Sequence, residues 1–183
     1  MLLILDIDEV LVYSADRPLD PNFDFQADLY YVIKRPFLNE FIKSAFSWFD
    51  VAIWTAATDD YAQIMAQRLM PNPDSLKFIW TRKRCTSKHD YEIGDQYWIK
   101  DLKKVRRLGY KLERILVVED ERRTMQRSYG NLILVRSFQG DKKDNELQLL
   151  IQYLDWIRHQ DNVRKIEKRY WREIAKNEMD RII

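Results

Sequence analysis

Two aspartates near the amino terminus have the residue type and spacing of a reactive site. Asp6 and Asp8 are separated by one residue and directly follow the apolar run 2–5. Side chains two residues apart on an extended chain point to the same face, so both carboxylates would face one site. Two close carboxylates repel each other unless a cation lies between them or one takes up a proton. Both states suit chemistry on an anionic substrate. The alternative is that Asp6 and Asp8 have no chemical role and only begin a solvated loop.

Two residues at the ends of predicted strands, Asp120 and Thr55, extend this set, together with Lys100 just before a predicted basic helix. Asp120 follows the apolar run 115–118 and adds a carboxylate to a site suited to Mg²⁺, which prefers carboxylates and waters. Thr55 offers a hydroxyl and a backbone amide to a phosphate oxygen, and Lys100 offers a point charge to a phosphoryl group or an aspartate nucleophile. Together these residue types indicate phosphoryl chemistry assisted by a divalent cation.

The elements that must position these residues alternate between apolar strands and amphipathic helices. Apolar runs predict strands over 2–5, 29–33, 51–54, 76–80, 115–118 and 132–135. Capping residues and helical spacing predict helices that begin at Pro36, Asp59, Asp101 and either Asp144 or Asn145. This alternation is typical of the α/β class, a doubly wound parallel sheet with right-handed crossovers. Such sheets bind ligands at the carboxyl ends of their strands, which is where the acidic residues lie.

Five segments, in chain order, resemble the haloacid dehalogenase (HAD) superfamily of aspartate-nucleophile phosphatases. They are more closely similar to its branch of small C-terminal-domain phosphatases of RNA polymerase II and NLI-interacting-factor-like proteins. The segments are 5–12 (Leu-Asp-Ile-Asp-Glu-Val-Leu-Val), 32–36 with 40–41, 54–57 with 61–62, 100–102 and 115–120. The resemblance covers residues 1–157 and implies a HAD-like Rossmannoid core.

The resemblance also implies a role for individual residues. Asp6 would attack phosphorus and form an aspartyl-phosphate, and Asp8 would protonate the leaving oxygen and later deprotonate the hydrolytic water. Mg²⁺ would be held by the Asp6 carboxylate, the Asp8 backbone carbonyl and Asp120. The phosphoryl group and the substrate would be bound by Thr55, Ala56, Lys100 and Arg82. Arg84, two residues further on, is the alternative to Arg82.

The fourth motif departs from the pattern of that branch. It reads Glu-Asp-Glu-Arg over residues 119–122, where the branch usually has Asp-Asn followed by Ser-Pro. Asp120 in place of Asn would keep or strengthen metal binding. Glu119 has two readings: it supports the metal site from outside, or it orients Lys100 through a salt bridge.

Length and composition favour one globular domain with a short appendage. The 183 residues are 46% hydrophobic and 33% charged, and the net charge of +2 excludes a strongly basic nucleic-acid packer. We expect a phosphatase domain over 1–158 and an amphipathic helical extension over 159–183, which either packs on the core or forms a dimer or partner contact. One cysteine, Cys85, excludes an internal disulfide and favours the cytoplasm, and no apolar run approaches the ~20 residues of a membrane span.

The spacing of the motifs bears on the size of the substrate. The gaps between Asp8, Thr55 and Lys100 are largely used by predicted core elements, so a large cap domain does not fit. An open, cap-less site favours a macromolecular phosphate, and we expect phosphomonoester hydrolysis on protein Ser or Thr. One alternative is a nucleic-acid-end or nucleotide phosphatase, since segment 100–114 has an excess of basic residues. A second is a catalytically idle relative that serves as a binding scaffold.

Overall fold

A computed structural model of the chain describes residues 1–18, 23–92 and 94–180, without the side chains of 179 and 180. Its strands are β1 (Leu2–Leu5), β2 (Val12–Ala15), β3 (Phe25–Ala27), β4 (Tyr30–Lys34), β5 (Asp50–Trp54), β6 (Ile79–Trp80), β7 (Thr86–Asp90), β8 (Asp95–Ile99), β9 (Ile115–Glu119) and β10 (Leu132–Leu134). Its helices are α1 (Leu38–Trp48), α2 (Asp59–Leu69), α3 (Lys103–Arg106), α4 (Glu146–Ile157) and α5 (Trp171–Asp180).

Five parallel strands form the central sheet in the order β10-β9-β1-β5-β6. The chain moves from β1 to β5 and β6 in one direction and then crosses to β9 and β10 on the other side. The predicted doubly wound parallel sheet is therefore confirmed, and the order of the strands reverses beside β1. The carboxyl edge of such a reversal point is where α/β sheets bind ligands.

Alternate residues of β1 enter two separate cores, one on each face of the sheet. Leu3 and Leu5 pack with apolar residues of α1, α2, α4 and α5. Leu2 and Ile4 pack on the other face with Val105 of α3 and with apolar residues of β5, β9 and β10. Burial on both faces explains why β1 is a continuous apolar run rather than an alternating one.

Two small antiparallel sheets accompany the central sheet, and the sequence patterns did not anticipate them. The strand predicted over 29–33 is present as β4, but it pairs antiparallel with β2 and β3 instead of joining the parallel sheet. The region predicted as a polar loop up to Asp95 contains β7, which pairs with β8 just after it in an antiparallel hairpin. Short connections favour antiparallel pairing, because a parallel neighbour needs a long crossover. Neither sheet has the size of a cap domain.

Several predicted elements are shorter than expected. The strand predicted over 76–80 is reduced to the two residues of β6, and the helix predicted to begin at Asp101 is reduced to the four residues of α3. Asp59 does not cap α2, because Thr58 is the N-cap residue. The Asp59 carboxylate instead accepts hydrogen bonds from Thr81 Oγ1 and Lys83 Nζ, both at 2.5 Å. The predicted start of α4 is confirmed, with Asp144 accepting the Glu146 N–H.

The carboxyl-terminal segment is helical over a shorter range than predicted. Of residues 158–180, α5 alone is an α-helix, and Trp171 and Ala175 are fully buried in the core that contains α4. This favours packing on the core for α5, while residues 181–183 lie outside the described residues. The domain division at residue 158 stays a prediction. No helix in the described part of the chain is long and apolar enough to cross a membrane.

Candidate active site

The end of β1 brings both predicted aspartates to the carboxyl edge of the sheet. The Asp6 N–H donates to the Val118 carbonyl of β9 at 3.2 Å, and Asp6 Oδ1 accepts the Ile7 N–H at 2.9 Å. Ile7 is fully buried, and its carbonyl accepts the N–H of Leu11, which closes a turn directly after the strand. Because Ile7 points into the core, Asp6 and Asp8 on either side of it face the edge.

Lys100 joins two carboxylates within the site. Its side chain is 1% exposed, and Nζ lies 3.0 Å from Asp6 Oδ2 and 2.5 Å from Glu119 Oε2. Burial opposes the charged form of Lys100, but Asp6 and Glu119 outweigh it and raise its pKa above the usual range. The Lys100 N–H donates to the Thr124 carbonyl, which anchors the chain after β8. Lys100 is therefore a fixed positive charge against Asp6.

Carboxylates outnumber cations at this edge, and their pKa values respond. Burial, and next the Glu119 carboxylate, raise the pKa of Asp6 to about 7 against the opposing effect of Lys100. Burial also raises the pKa of Glu119 and of Asp120. One buried ammonium does not neutralise these groups, so the edge favours an additional cation.

The oxygen atoms available for a metal ion form a compact group. One carboxylate oxygen each from Asp6, Glu119 and Asp120 lies within 4.8 Å of the others. Glu119 is engaged elsewhere, because Oε2 binds Lys100 and Oε1 accepts the N–H groups of Asp120 and Glu121 at 3.2 and 3.3 Å. Each Asp6 oxygen has one bonding partner, the Ile7 N–H or Lys100, and keeps a lone pair for an ion, and Asp120 adds a further carboxylate. A hard divalent cation such as Mg²⁺ fits this donor set. Glu119 contacts Lys100 through a salt bridge, which was one of the two roles expected for it.

Asp8 has a tyrosine partner, a role that the sequence analysis did not assign to Tyr61. Tyr61 Oη donates to Asp8 Oδ1, and Ser14 Oγ lies 2.7 Å from Tyr61 Oη. Burial raises the pKa of Asp8 to about 6, and the Tyr61 hydrogen bond limits the rise. The Tyr61 hydroxyl thus fixes the orientation of the Asp8 carboxylate. The available signal was a tyrosine in the first turn of the helix that follows Thr55.

Thr55 and Arg82 follow β5 and β6, on the side of β1 opposite to β9. Thr55 is 2% exposed and its hydroxyl oxygen accepts the Ala57 N–H at 3.1 Å. The expectation that its backbone amide is open to phosphate is wrong, because that N–H donates to the Trp80 carbonyl at 2.8 Å to extend the pairing of β5 with β6. Arg82 Nε donates to the Ala56 carbonyl at 2.7 Å.

The structure separates the two candidate arginines. An open groove of about 270 Å³ contains Asp8 and Tyr61 in its lining, and Arg82 lines it as well. The Arg82 guanidinium also lies 5.3 Å from the Trp98 ring centroid of β8. Arg84 lies over the Trp80 ring at 4.8 Å and is not part of the groove. The predicted site residues thus come together at one edge, with Arg82 rather than Arg84 beside Asp8.

Curated relatives resemble most of this chain. "CTD small phosphatase-like protein 2" of Dictyostelium discoideum is 30% identical over 169 residues, which are 88% of this chain and 28% of that protein. "Probable C-terminal domain small phosphatase" of the same organism is 30% identical over 171 residues, 90% of this chain and 53% of that protein. "Phosphatase Herzog" of Drosophila melanogaster is 29% identical over 169 residues, 88% and 45% of the two chains. The chain spans about half or less of the length of these relatives.

Solved structures share the fold. The fission yeast RNA polymerase II CTD phosphatase Fcp1 bound to beryllium fluoride aligns with a TM-score of 0.57 and 15% identity, over 98% of this chain and 50% of that one. A second structure of Fcp1, described as an essential RNA polymerase II CTD phosphatase, aligns at 0.58 and 14% identity, over 97% and 61%. The family model "NLI interacting factor-like phosphatase" matches residues 1–164. This chain therefore belongs to the NLI interacting factor-like phosphatase family.

Proposed function

We propose that this chain is a Mg²⁺-dependent phosphatase that hydrolyses phosphomonoesters on protein Ser and Thr through an aspartyl-phosphate on Asp6. The observation that carries the proposal is the buried contact of Lys100 with Asp6, beside the carboxylates of Glu119 and Asp120. Phosphoryl transfer depends mainly on positioning and charge neutralisation. This group of residues supplies both.

Asp6 is the nucleophile. Its Oδ1 accepts the Ile7 N–H and its Oδ2 contacts Lys100, so both oxygens are oriented before substrate arrives. Attack forms a bond between Asp6 and phosphorus and breaks the bond from phosphorus to the leaving oxygen. When bound, Mg²⁺ held by the Asp6 carboxylate, the Asp8 backbone carbonyl and Asp120 supplies positive charge to the phosphoryl oxygens and lowers their repulsion with the nucleophile.

Asp8 is the general acid and base. Burial raises its pKa, which favours the protonated form that a general acid needs, and Tyr61 holds its orientation. Asp8 gives its proton to the leaving oxygen as the first bond breaks. The resulting carboxylate then takes a proton from the water that hydrolyses the aspartyl-phosphate, which returns Asp6 and Asp8 to their starting states.

Thr55 and Lys100 bind the transferring group. The Thr55 hydroxyl oxygen accepts the Ala57 N–H, which leaves its own O–H as a donor to a phosphate oxygen. Lys100 is in contact with Asp6 and keeps its charge at neutral pH, because its pKa is raised. Arg82, which lines the groove beside Asp8, extends the positive charge toward the part of the substrate outside the edge.

The groove favours a phosphoprotein over a polynucleotide. Its lining has the carboxylates of Asp8 and Glu9 and the rings of Tyr13, Tyr30 and Tyr61, and Arg82 is the single cation that the described residues contribute. A nucleic-acid backbone requires a run of cations along its path. The basic segment 100–114 does not provide it, because that segment leads from Lys100 at the carboxyl edge back to the amino end of β9.

The proposal is tested with purified protein and an aryl phosphate, with and without Mg²⁺. We expect turnover that requires the metal and is lost in Asp6→Asn, while Asp74→Asn, an exposed aspartate outside the site, keeps wild-type turnover. Phosphoserine peptides should then be hydrolysed faster than oligonucleotides with a terminal phosphate. The reverse preference, with strong loss of activity on added salt, would favour the nucleic-acid alternative.

Two outcomes would overturn the mechanism itself. Turnover that persists in a folded Asp6→Asn variant would remove Asp6 as nucleophile. A wild-type protein that is folded, is stabilised by Mg²⁺ and yet hydrolyses neither aryl phosphate nor phosphopeptide would favour the catalytically idle relative. Circular dichroism and thermal unfolding of each variant distinguish loss of chemistry from loss of fold.

A further inference from the structure

A second cavity lies along the open edge of the central sheet, away from the groove that contains Asp8. Its volume is about 570 Å³, and it lies between β10 and the carboxyl-terminal residues 164–172. The apolar side chains of Leu132, Leu134 and Ile166 contribute to its lining, together with Tyr129. It shares no lining residue with the groove. Most of one wall follows residue 164, where the match to the family model ends.

Positive charge is concentrated in the lining of this cavity. Five cationic side chains and one carboxylate contribute: Arg122, Arg164, Lys168, Arg169, Arg172 and Glu167. The whole chain has a net charge of only +2, so the excess here is local. Two of the cations are paired, since Arg169 contacts Glu167 at 2.9 Å and Arg172 Nε contacts Glu146 at 2.9 Å.

Arg122 and Arg164 have no such compensation. Both side chains are exposed, and within the described part of the chain neither guanidinium has a hydrogen-bond or ion-pair partner. An arginine presents five N–H donors in a planar fork that matches a carboxylate. These two residues therefore offer free donors at the cavity.

Lys168 adds a buried charge to the same lining. It is 7% exposed, and its ammonium donates to three backbone carbonyls: Gly130 at 2.8 Å, Ile166 at 3.0 Å and Val163. These acceptors satisfy its donors but bring no negative charge. Burial lowers the pKa of Lys168 to about 8 despite the nearby Glu167. An anion in the cavity would provide the charge that the carbonyls do not.

The edge of β10 presents backbone groups to the same space. Val135 N–H donates to the Glu119 carbonyl, so the odd-numbered residues bond to β9 and the even-numbered residues face outward. The Leu134 carbonyl is already occupied by Trp171 Nε1 at 2.9 Å. The same register points the Leu132 carbonyl and the Leu134 N–H away from β9, and both residues line the cavity. No strand among the described residues pairs with this edge. One residue of an extended chain can bond to both groups.

We propose that this cavity docks an extended acidic segment of a partner protein, with carboxylates on Arg122 and Arg164 and an apolar side chain on Leu132, Leu134 and Ile166. Charge complementarity selects the acidic partner, and the open strand edge beside an apolar floor selects an extended peptide over a compact anion. The site is separate from the reaction centre, and the inference does not depend on the proposed phosphatase mechanism.

The test measures binding of a short fluorescein-labelled peptide in which glutamate alternates with leucine, by fluorescence anisotropy. We expect binding by the wild-type chain and a loss of about tenfold or more in affinity for Arg122→Gln/Arg164→Gln, because two charge-assisted contacts are removed. The matched control is Arg106→Gln/Arg107→Gln, which removes two exposed arginines outside the cavity and should bind as wild type. The same peptide with glutamine for glutamate, or with serine for leucine, should bind weakly.

A second measurement does not depend on any variant. In an NMR titration, the peptide is added to the isotope-labelled wild-type chain. The backbone amide resonances of β10 and of residues 164–172 should shift, and those of Asp8 and Tyr61 should stay unchanged. The proposal is overturned by equal losses in the two double variants, by equal binding of the glutamine peptide, or by shifts confined to the groove. It is also overturned if a single-stranded oligonucleotide binds more tightly than the peptide with the same dependence on Arg122 and Arg164.

Discussion

Two places in the molecule each bury a lysine but compensate its charge in different ways. One is the active-site edge, the carboxyl edge of the central sheet at Asp6, and the other is the β10 cavity, the space between β10 and residues 164–172. Lys100 lies between two carboxylates, Asp6 and Glu119. Lys168 lies among three backbone carbonyls and contacts no carboxylate of the described residues. As a result, the pKa of Lys100 is raised above its usual range, whereas burial lowers the pKa of Lys168 to about 8.

The difference determines which ligand each place is suited to receive. At the active-site edge, carboxylates exceed cations once Asp8 and Asp120 are included, so the unmet charge is negative and a divalent cation fits. In the β10 cavity the carbonyls satisfy hydrogen bonds without neutralising charge, so the unmet charge is positive and an anion fits. Hydrogen-bond satisfaction and charge neutralisation are thus separate requirements for a buried ion, and this chain meets them separately.

Replacing Lys100 should have the largest effect on stability. Lys100→Met leaves Asp6 and Glu119 buried without a partner, and breaking a buried pair in this way costs about 3–5 kcal/mol of unfolding free energy. Urea denaturation measures the loss. The double variant Lys100→Met/Glu119→Gln should recover part of it, because one uncompensated charge is removed. Equal stabilities of the single and double variants would show that the pair is not coupled.

Adding Mg²⁺ should stabilise the wild-type chain. Binding to the folded state alone raises the unfolding free energy by about 2.7 kcal/mol at a free concentration of one hundred times Kd. Thermal unfolding with and without the metal measures the shift. We expect Asp120→Ala to reduce it and Asp74→Asn to retain it. An equal shift in Asp120→Ala would remove Asp120 from the metal site.

Lys168→Met should cost about 1–3 kcal/mol at neutral pH, because three buried carbonyls lose their donor. The comparison with wild type should also depend on pH. Between pH 8 and 10.5 the unfolded lysine keeps its proton while the folded one loses it, so wild-type stability rises with pH relative to the variant. Urea denaturation of both proteins across this range measures the difference. A flat difference would contradict the lowered pKa.

Lys100 should behave differently in the same experiment. Its folded pKa is above the unfolded value, so its contribution is complete below pH 10.5 and is lost only as pH rises further. The titration of Lys100 itself should therefore add no slope to the stability difference between wild type and Lys100→Met between pH 8 and 9.5, where the contribution of Lys168 already rises. Matching slopes for the two lysines would refute the distinction drawn between them.

The smallest expected effect is on the stability of Arg122→Gln/Arg164→Gln. Neither guanidinium has a partner among the described residues, so the unfolding free energy should stay within about 0.5 kcal/mol of wild type. Denaturation of the variant and of Arg106→Gln/Arg107→Gln gives the comparison. A large loss would mean that these arginines support the fold, in place of receiving a ligand.

Local patterns were sufficient where one run of residues decides an element. The continuous apolar runs of β1 and β9 identified both strands, and the acidic residues after them identified the edge where Asp6 and Asp120 meet. The patterns were insufficient where pairing partners decide. The strand predicted over 29–33 exists, but its antiparallel sheet depends on contacts with β2 and β3 that no local pattern contains.

The sequence by itself determined the α/β class, the order of the motifs along the chain and the family, because residue type and short spacing carry that information. Only the tertiary structure decided that Tyr61 binds Asp8, that Glu119 holds Lys100, and that Arg82 rather than Arg84 lines the groove. It also decided that the β10 edge and residues 164–172 enclose a basic cavity. These contacts join residues far apart in the chain, and their geometry follows from how the helices pack on the sheet.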